Sequence, residues 1–127
     1  MAKSIMLRVV GMQHRITPST RRMISKRCDE DGAIPVRLIR EADNTHDENA
    51  IKVVIADSPY KGMHIGYVPR NIAAEYAPLI DGLKLMILHA ELFAVDVENG
   101  EGTMTVVFKK RGKSPGKPRK KKSAKKA

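Results

Sequence analysis

Seven consecutive residues, Asp43-Asn44-Thr45-His46-Asp47-Glu48-Asn49, concentrate hydrogen-bonding side chains in one short stretch. Asp43, Asn44, Asp47 and Asn49 carry short polar groups that bond to nearby backbone and tolerate left-handed conformations, so the stretch reads as a tightly folded loop. The β-branched run Ile51-Lys52-Val53-Val54-Ile55 follows at once and reads as a strand. An acceptor-rich loop at the mouth of a strand suits recognition, and loops held by a rigid scaffold are where binding residues concentrate.

Turnover chemistry finds less support. Cys28 sits in a basic, polar stretch with no nucleophile motif around it, and His14, His46, His64 and His89 are scattered with no pair at metal spacing. Gly100 and Gly102 belong to a hairpin rather than to a phosphate-cradling loop. The residues argue for binding, and no enzyme activity, metal or cofactor is expected.

The elements that would position the loop can be read from pattern and punctuation. A first strand is expected over Ile5 to Val10, ending at Gly11. Thr17 caps and Pro18 opens a helix over Ser19 to Cys28, and Asp29-Glu30-Asp31-Gly32 reads as a turn. Ile34 to Arg40 alternates as a strand with Pro35 near its start, where proline is tolerated. Ile51 to Ala56 and His64 to Val68 are two further strands. Asn71 is expected to cap a helix from Ile72, which Pro78 should kink or end. Leu83 to Val97 is too long for one ordinary strand and should bend or bulge around His89-Ala90-Glu91. Asn99-Gly100 marks a hairpin, with a return strand over Thr103 to Phe108. Phe93 and Phe108 are expected in the core. The sum is a mainly β fold with two short helices, a small OB-like or SH3-like β-barrel.

The 127 residues suffice for one domain. No stretch approaches the roughly 20 apolar residues of a membrane span, and no secretion signal is evident after Met1. The single Cys28 gives a mild preference for a reducing, cytoplasmic compartment. The net charge of +10 is unevenly distributed: eleven of the 24 Lys and Arg fall in Lys109 to Ala127, where there is no acid. That leaves 13 cations against all 14 acids, so the body is near −1. Residues 1–108 are therefore read as the folded domain and 109–127 as a disordered basic tail. Lys109, Lys110, Arg111, Lys113, Lys117, Arg119, Lys120, Lys121 and Lys122 would attract phosphates without reading sequence. The same tail could instead serve only solubility or contact polyanions at large.

Three patterns together resemble the HIRAN domain, a small module found alone in bacteria and phages and fused to Swi/Snf-type DNA translocases in eukaryotes. Val9-Val10-Gly11-Met12-Gln13-His14 is similar to the family's first strand and following turn. Leu38 to Val53 resembles its signature: an Arg-acid start, an Asn-x-x-Asp loop and an Asn-Ala-Ile-x-Val strand. Ile65-Gly66-Tyr67-Val68-Pro69-Arg70, with Ala73, resembles its glycine-aromatic strand leading into a helix. The likeness spans about Ile5 to Phe108 and omits the tail.

The resemblance implies an OB-like barrel that binds single-stranded DNA and captures a free 3′ end. Carried over by position, it makes Asp47 the acceptor of the terminal 3′-hydroxyl, with Asn44 and Asp43 in the same loop. His14 and His46 take aromatic stacking positions, Gln13 a polar contact beside the first. Tyr67 lies near the phosphates and Arg70 takes the phosphate-binding position. An ionised carboxylate only accepts, so it favours a hydroxyl over a phosphate. Histidine is a smaller platform than tyrosine, the hairpin 98–103 has no aromatic residue, and Asp43 stands where asparagine is expected. The pocket should therefore bind weakly and depend on the basic tail.

Asn49 reads better as a loop residue bonding local amides, and Asp47 fits both roles through its two oxygens. The expected partner is single-stranded DNA, with RNA or duplex DNA through the tail, no membrane, and a monomer. Alternatives are a general polyanion binder acting through the tail alone, an accessory domain of a metal-dependent nuclease or hydrolase, and a protein-recruitment module.

Overall fold

The computed structural model describes residues 2–111. Among these, six strands and two α-helices follow in the order β1 (Ala2–Val9), α1 (Pro18–Asp31), β2 (Ile34–Arg40), β3 (Ile51–Ile55), β4 (His64–Tyr67), α2 (Arg70–Asp81), β5 (Leu85–Asp96) and β6 (Glu101–Lys110), with a single 3-10 turn at Met12–His14. All strand pairs are antiparallel, in the order β1-β6-β5-β2-β3-β4. The sheet curls without closing along its length. Its two outer strands meet at one point, where Val10 and Tyr67 exchange both backbone hydrogen bonds at 2.9 Å. The architecture is the mainly β, OB-like one expected, as a curled sheet rather than a sealed barrel.

Alternation decides which side of the curl is dry. Along β6, Gly102, Met104, Val106 and Phe108 face inward while the residues between them stay partly exposed. They meet Val9, Ile51, Ile65 and Leu92, all essentially inaccessible to water. Each such aliphatic side chain contributes about 1.5–3 kcal/mol of transfer free energy. Helix α1 turns Ile24 and Cys28 into this core, and α2 lays Tyr76 and Ile80 against Ile5, Leu7 and Leu85 at one end. Gly66 makes the Val10–Tyr67 closure possible, because a Cβ there would lie 2.6 Å from the Val10 carbonyl oxygen and 2.8 Å from Val9 Cγ1.

Several expectations need correction. Helix α1 runs on through the expected turn to Asp31, and Gly32, at φ 84°, ends it. Thr17 does cap it, accepting from the Thr20 N–H at 3.2 Å. Asn71 is not the cap of α2, whose helix begins at Arg70 after Pro69. Pro78 does not end α2 before Asp81, since its carbonyl still accepts from the Gly82 N–H at 3.0 Å. The long strand β5 is continuous, absorbing its length in irregularities between Ile87 and His89 and between Leu92 and Ala94. Phe108 is buried as expected, whereas Phe93 is only half-buried.

The expected tail begins too early. Lys109 and Lys110 pair with Met86 and Leu85 inside β6, and the Arg111 N–H donates to Lys84 O at 2.8 Å. Lys113, Lys117, Arg119, Lys120, Lys121 and Lys122 lie outside the described residues.

Candidate functional site

The 41–50 loop joining β2 to β3 is folded by its own side chains. Asn44 Oδ1 accepts from the His46 and Asp47 N–H groups at 2.8 and 3.0 Å. Asp47 Oδ1 accepts from the Asn49 N–H at 3.0 Å, and the Asp47 carbonyl accepts from the Ala50 N–H at 3.0 Å. Arg40 then clamps the exit, donating to Ala50 O at 2.7 Å and Glu48 O at 3.0 Å. The same guanidinium grips both oxygens of Asp81 on α2, at 2.8 and 2.7 Å. The loop is thus tied to the core strand on one side and to a helix end on the other.

Glu41 is the centre that sequence reasoning missed. Its Oε1 accepts from Asn44 Nδ2 and from the Tyr67 hydroxyl, each at 2.9 Å, and its Oε2 lies 3.8 Å from Lys52 Nζ. The Asn44 bond, with that of Tyr67 and the charge of Lys52, holds the Glu41 carboxyl below the usual carboxylate range. Burial, then the bond to Glu41, pushes the Tyr67 phenol up. Because the Tyr67 proton is committed to Glu41, the phenol offers a ligand its ring and its lone pairs. The available signal was the acid directly after Arg40, at the point where the chain leaves β2.

Asn44, His46, Asp47, Tyr67 and Arg70 line one pocket of about 290 Å³, with Val10, Ala50 and Val68 supplying its apolar surface. Five of the residues expected in the site therefore come together, drawn from the loop, β4 and the start of α2. Asp47 keeps 19% of its side-chain surface exposed. With Oδ1 committed to the loop, Oδ2 lies 3.4 Å from Arg70 Nε, a long and weak contact. Arg70, 71% exposed, is anchored instead by a 2.6 Å bond from Nη2 to His46 O. The Val10 wall of this pocket is also the point at which the sheet's outer strands meet.

The other expected residues stand apart. Asp43 is exposed and outside the pocket lining. Gln13 and His14 line a separate shallow cleft with Arg15 and Ile16. Their turn is fixed by the β5–β6 hairpin: the Met12 N–H donates to Gly100 O at 3.0 Å, and a Cβ on Gly100 would fall 2.6 Å from the Gln13 nitrogen. His64, not expected in the site, stacks edge-on against Tyr67 with ring centroids 4.8 Å apart. Burial, then the charge of Arg15, pushes its imidazole below the ordinary value.

Among the described residues no three His, Cys, Asp or Glu side chains converge as metal ligands. Burial, then Asp29 and Asp31, pushes the Cys28 thiol up to about 11, and it donates to Leu92 O at 3.4 Å, so it behaves as a packing residue. No helix among these residues is long and apolar enough to cross a membrane.

With this geometry in view, a family model described as the HIRAN domain matches residues 4–104. No curated protein matches the chain. Among solved structures, the crystal structure of the HIRAN domain of human HLTF is similar with a TM-score of 0.59 at 20% identity, over 83% of this chain and 74% of that one. A crystal structure of a Lactobacillus plantarum protein gives 0.56 at 21%, over 84% and 96%. The HLTF HIRAN domain in its DNA-bound conformation, solved by NMR, gives 0.56 at 20%, over 83% and 73%.

Proposed function

The chain belongs to the HIRAN domain family, and from that premise we propose that it is a non-enzymatic DNA-binding module that prefers the free 3′-hydroxyl end of a single strand. The HLTF domain of the same fold has a DNA-bound conformation, which supports DNA as the ligand class. The observation that carries the finer reading is the division of labour within Asp47, a residue of the pocket lining: Oδ1 holds the loop, while Oδ2 makes only the long contact to Arg70 and is left to meet a ligand. A terminal hydroxyl donates to Oδ2, whereas an internal or terminal phosphate meets a like charge there. Arg70 receives the phosphate one nucleotide inward, and His46 and Tyr67 offer ring surface to the last bases. Stacking of this kind is worth about 1–3 kcal/mol per base and reads no sequence.

Residues 1–108 form the binding domain in this reading, extended by the β6 residues Lys109 and Lys110. The lysines and arginines beyond Arg111 add affinity that salt weakens. Fluorescence anisotropy with matched 3′-hydroxyl, 3′-phosphate and circular single strands tests it. The linear 3′-hydroxyl strand should bind tightest. Loss of binding to all three by a chain ending at Arg111 would favour the polyanion alternative, and equal binding of all three by that chain would remove the end preference.

A further inference from the structure

Lying between α1 and the β3–β4 connection is a further cleft, of about 330 Å³, lined by Met23, Lys26, Arg27, Glu30, Pro59 and Tyr60. Met23 is 54% exposed, a large apolar side chain that shares the cleft with the half-buried Tyr60 and the exposed Pro59. The cations of α1 divide by what they already hold. Arg21 is buried and spends its guanidinium on Val97 O and Ile16 O, at 2.8 and 2.7 Å. Arg27 is paired with Asp31 at 3.0 Å. Arg22 and Lys26, one turn apart on the exposed face, have no ion-pair partner among the described residues. With Lys26 in the lining and Arg22 one turn away, against the single carboxylate Glu30, this exposed apolar and aromatic surface has the composition that single-stranded nucleic acid uses, bases on rings and phosphates on ammonium or guanidinium.

The cleft and the first pocket are linked along the chain by the β3–β4 connection and β4. Tyr67 ends β4, and Pro59 and Tyr60 lie in the connection that precedes it. Seven residues of chain span at most about 25 Å, a length within the roughly 4–16 nucleotides that one OB-type fold engages.

We propose that the α1 cleft is a second nucleic-acid subsite, in which Arg22 and Lys26 take phosphates and Met23 and Tyr60 take a base from the interior of the strand whose end occupies the Asp47 pocket. The proposal rests on the end-binding reading, since it follows the same strand away from its terminus. This subsite contacts only interior nucleotides, so it is blind to what the terminus carries.

That blindness separates the two ideas in one experiment on the full chain. Affinities and salt slopes are measured for 12-nucleotide strands ending in a 3′-hydroxyl or a 3′-phosphate, and for a 3-nucleotide 3′-hydroxyl strand. Arg22→Ala with Lys26→Ala should weaken both 12-mers by the same factor, about 5-fold for two exposed ion pairs. The log–log salt slope should become shallower by about 1.4. The 3-mer, and the hydroxyl-to-phosphate ratio of the 12-mers, should be unchanged. Arg22→Glu with Lys26→Glu should deepen the loss, and Met23→Ala should weaken both 12-mers with no change in slope. Unchanged 12-mer affinity in the double variants overturns the subsite and leaves the cleft to another partner, such as an acidic protein surface. A wild-type hydroxyl-to-phosphate ratio of one instead overturns the end-binding reading.

Discussion

Replacing Asp47 by asparagine tests the chemistry of the pocket without dismantling its loop. Asparagine keeps an acceptor at the Oδ1 position, so the 3.0 Å bond from the Asn49 N–H survives and the loop should keep its fold. What changes is the other oxygen, 3.4 Å from Arg70 Nε, which becomes an amide that donates. A hydrogen bond to a charged partner is worth about 1.5–3 kcal/mol, so a 3′-hydroxyl strand should lose about 10- to 150-fold in affinity. The phosphate-ended strand moves the other way. Two unit charges 4 Å apart repel by about 4 kcal/mol at an effective dielectric constant of 20, and solvent at this partly exposed site reduces that to a fraction. Removing the charge should therefore tighten 3′-phosphate binding and bring the ratio of the two affinities to one or below. Asp47→Ala should also lose the hydroxyl preference, but with an added cost of about 1–3 kcal/mol in stability as the Asn49 N–H loses its acceptor. The assay is anisotropy on both strands, with thermal melts alongside. Should Asp47→Asn weaken both strands equally while its melting temperature holds, Oδ2 does not read the terminus and the argument fails.

Three further outcomes are expected. Gly66→Ala forces a methyl group against the Val10 carbonyl and Val9, an overpacking of about 1–3 kcal/mol that should lower Tm by roughly 5–15 °C. Glu41→Gln should make stability less sensitive to acid: a carboxyl held below its unfolded value contributes stability above about pH 4.3, lost as pH falls through the folded value. Denaturant melts from pH 7 to 3 should fall more steeply in the wild type than in the variant, and parallel curves would remove Glu41 from its central role. Ending the chain at Arg111 should flatten the salt dependence of binding by about 0.7 for each phosphate no longer neutralised, with the hydroxyl-to-phosphate ratio unchanged; a ratio that falls to one would place end recognition in the removed segment.

The loop and its strand were legible because short polar side chains fold a loop locally, and Asn44 and Asp47 do so here through bonds within three residues. Strand Ile34–Arg40 was legible to the residue, since its alternation is clean. The Glu41 centre was not, because its partners Tyr67 and Lys52 arrive from other strands through register that no short pattern encodes. Nor was the role of Gly66, a demand set by Val9 and Val10 more than fifty residues away. Pro78 misled because a proline near a helix end removes only its own donor while later amides still find carbonyls. The charge run misled at its start, where Lys109 and Lys110 complete a strand before the cations continue.

The two hydrogen bonds between Val10 and Tyr67 have a mechanical consequence. They rivet the seam of an otherwise unfastened curl, and both residues also form walls of the Asp47 pocket. A strand seated there would staple the seam shut, so the amide protons of Val10 and Tyr67 should exchange with solvent more slowly when it is occupied. Loosening that rivet should shorten the residence of bound DNA even where every group that touches it is left in place.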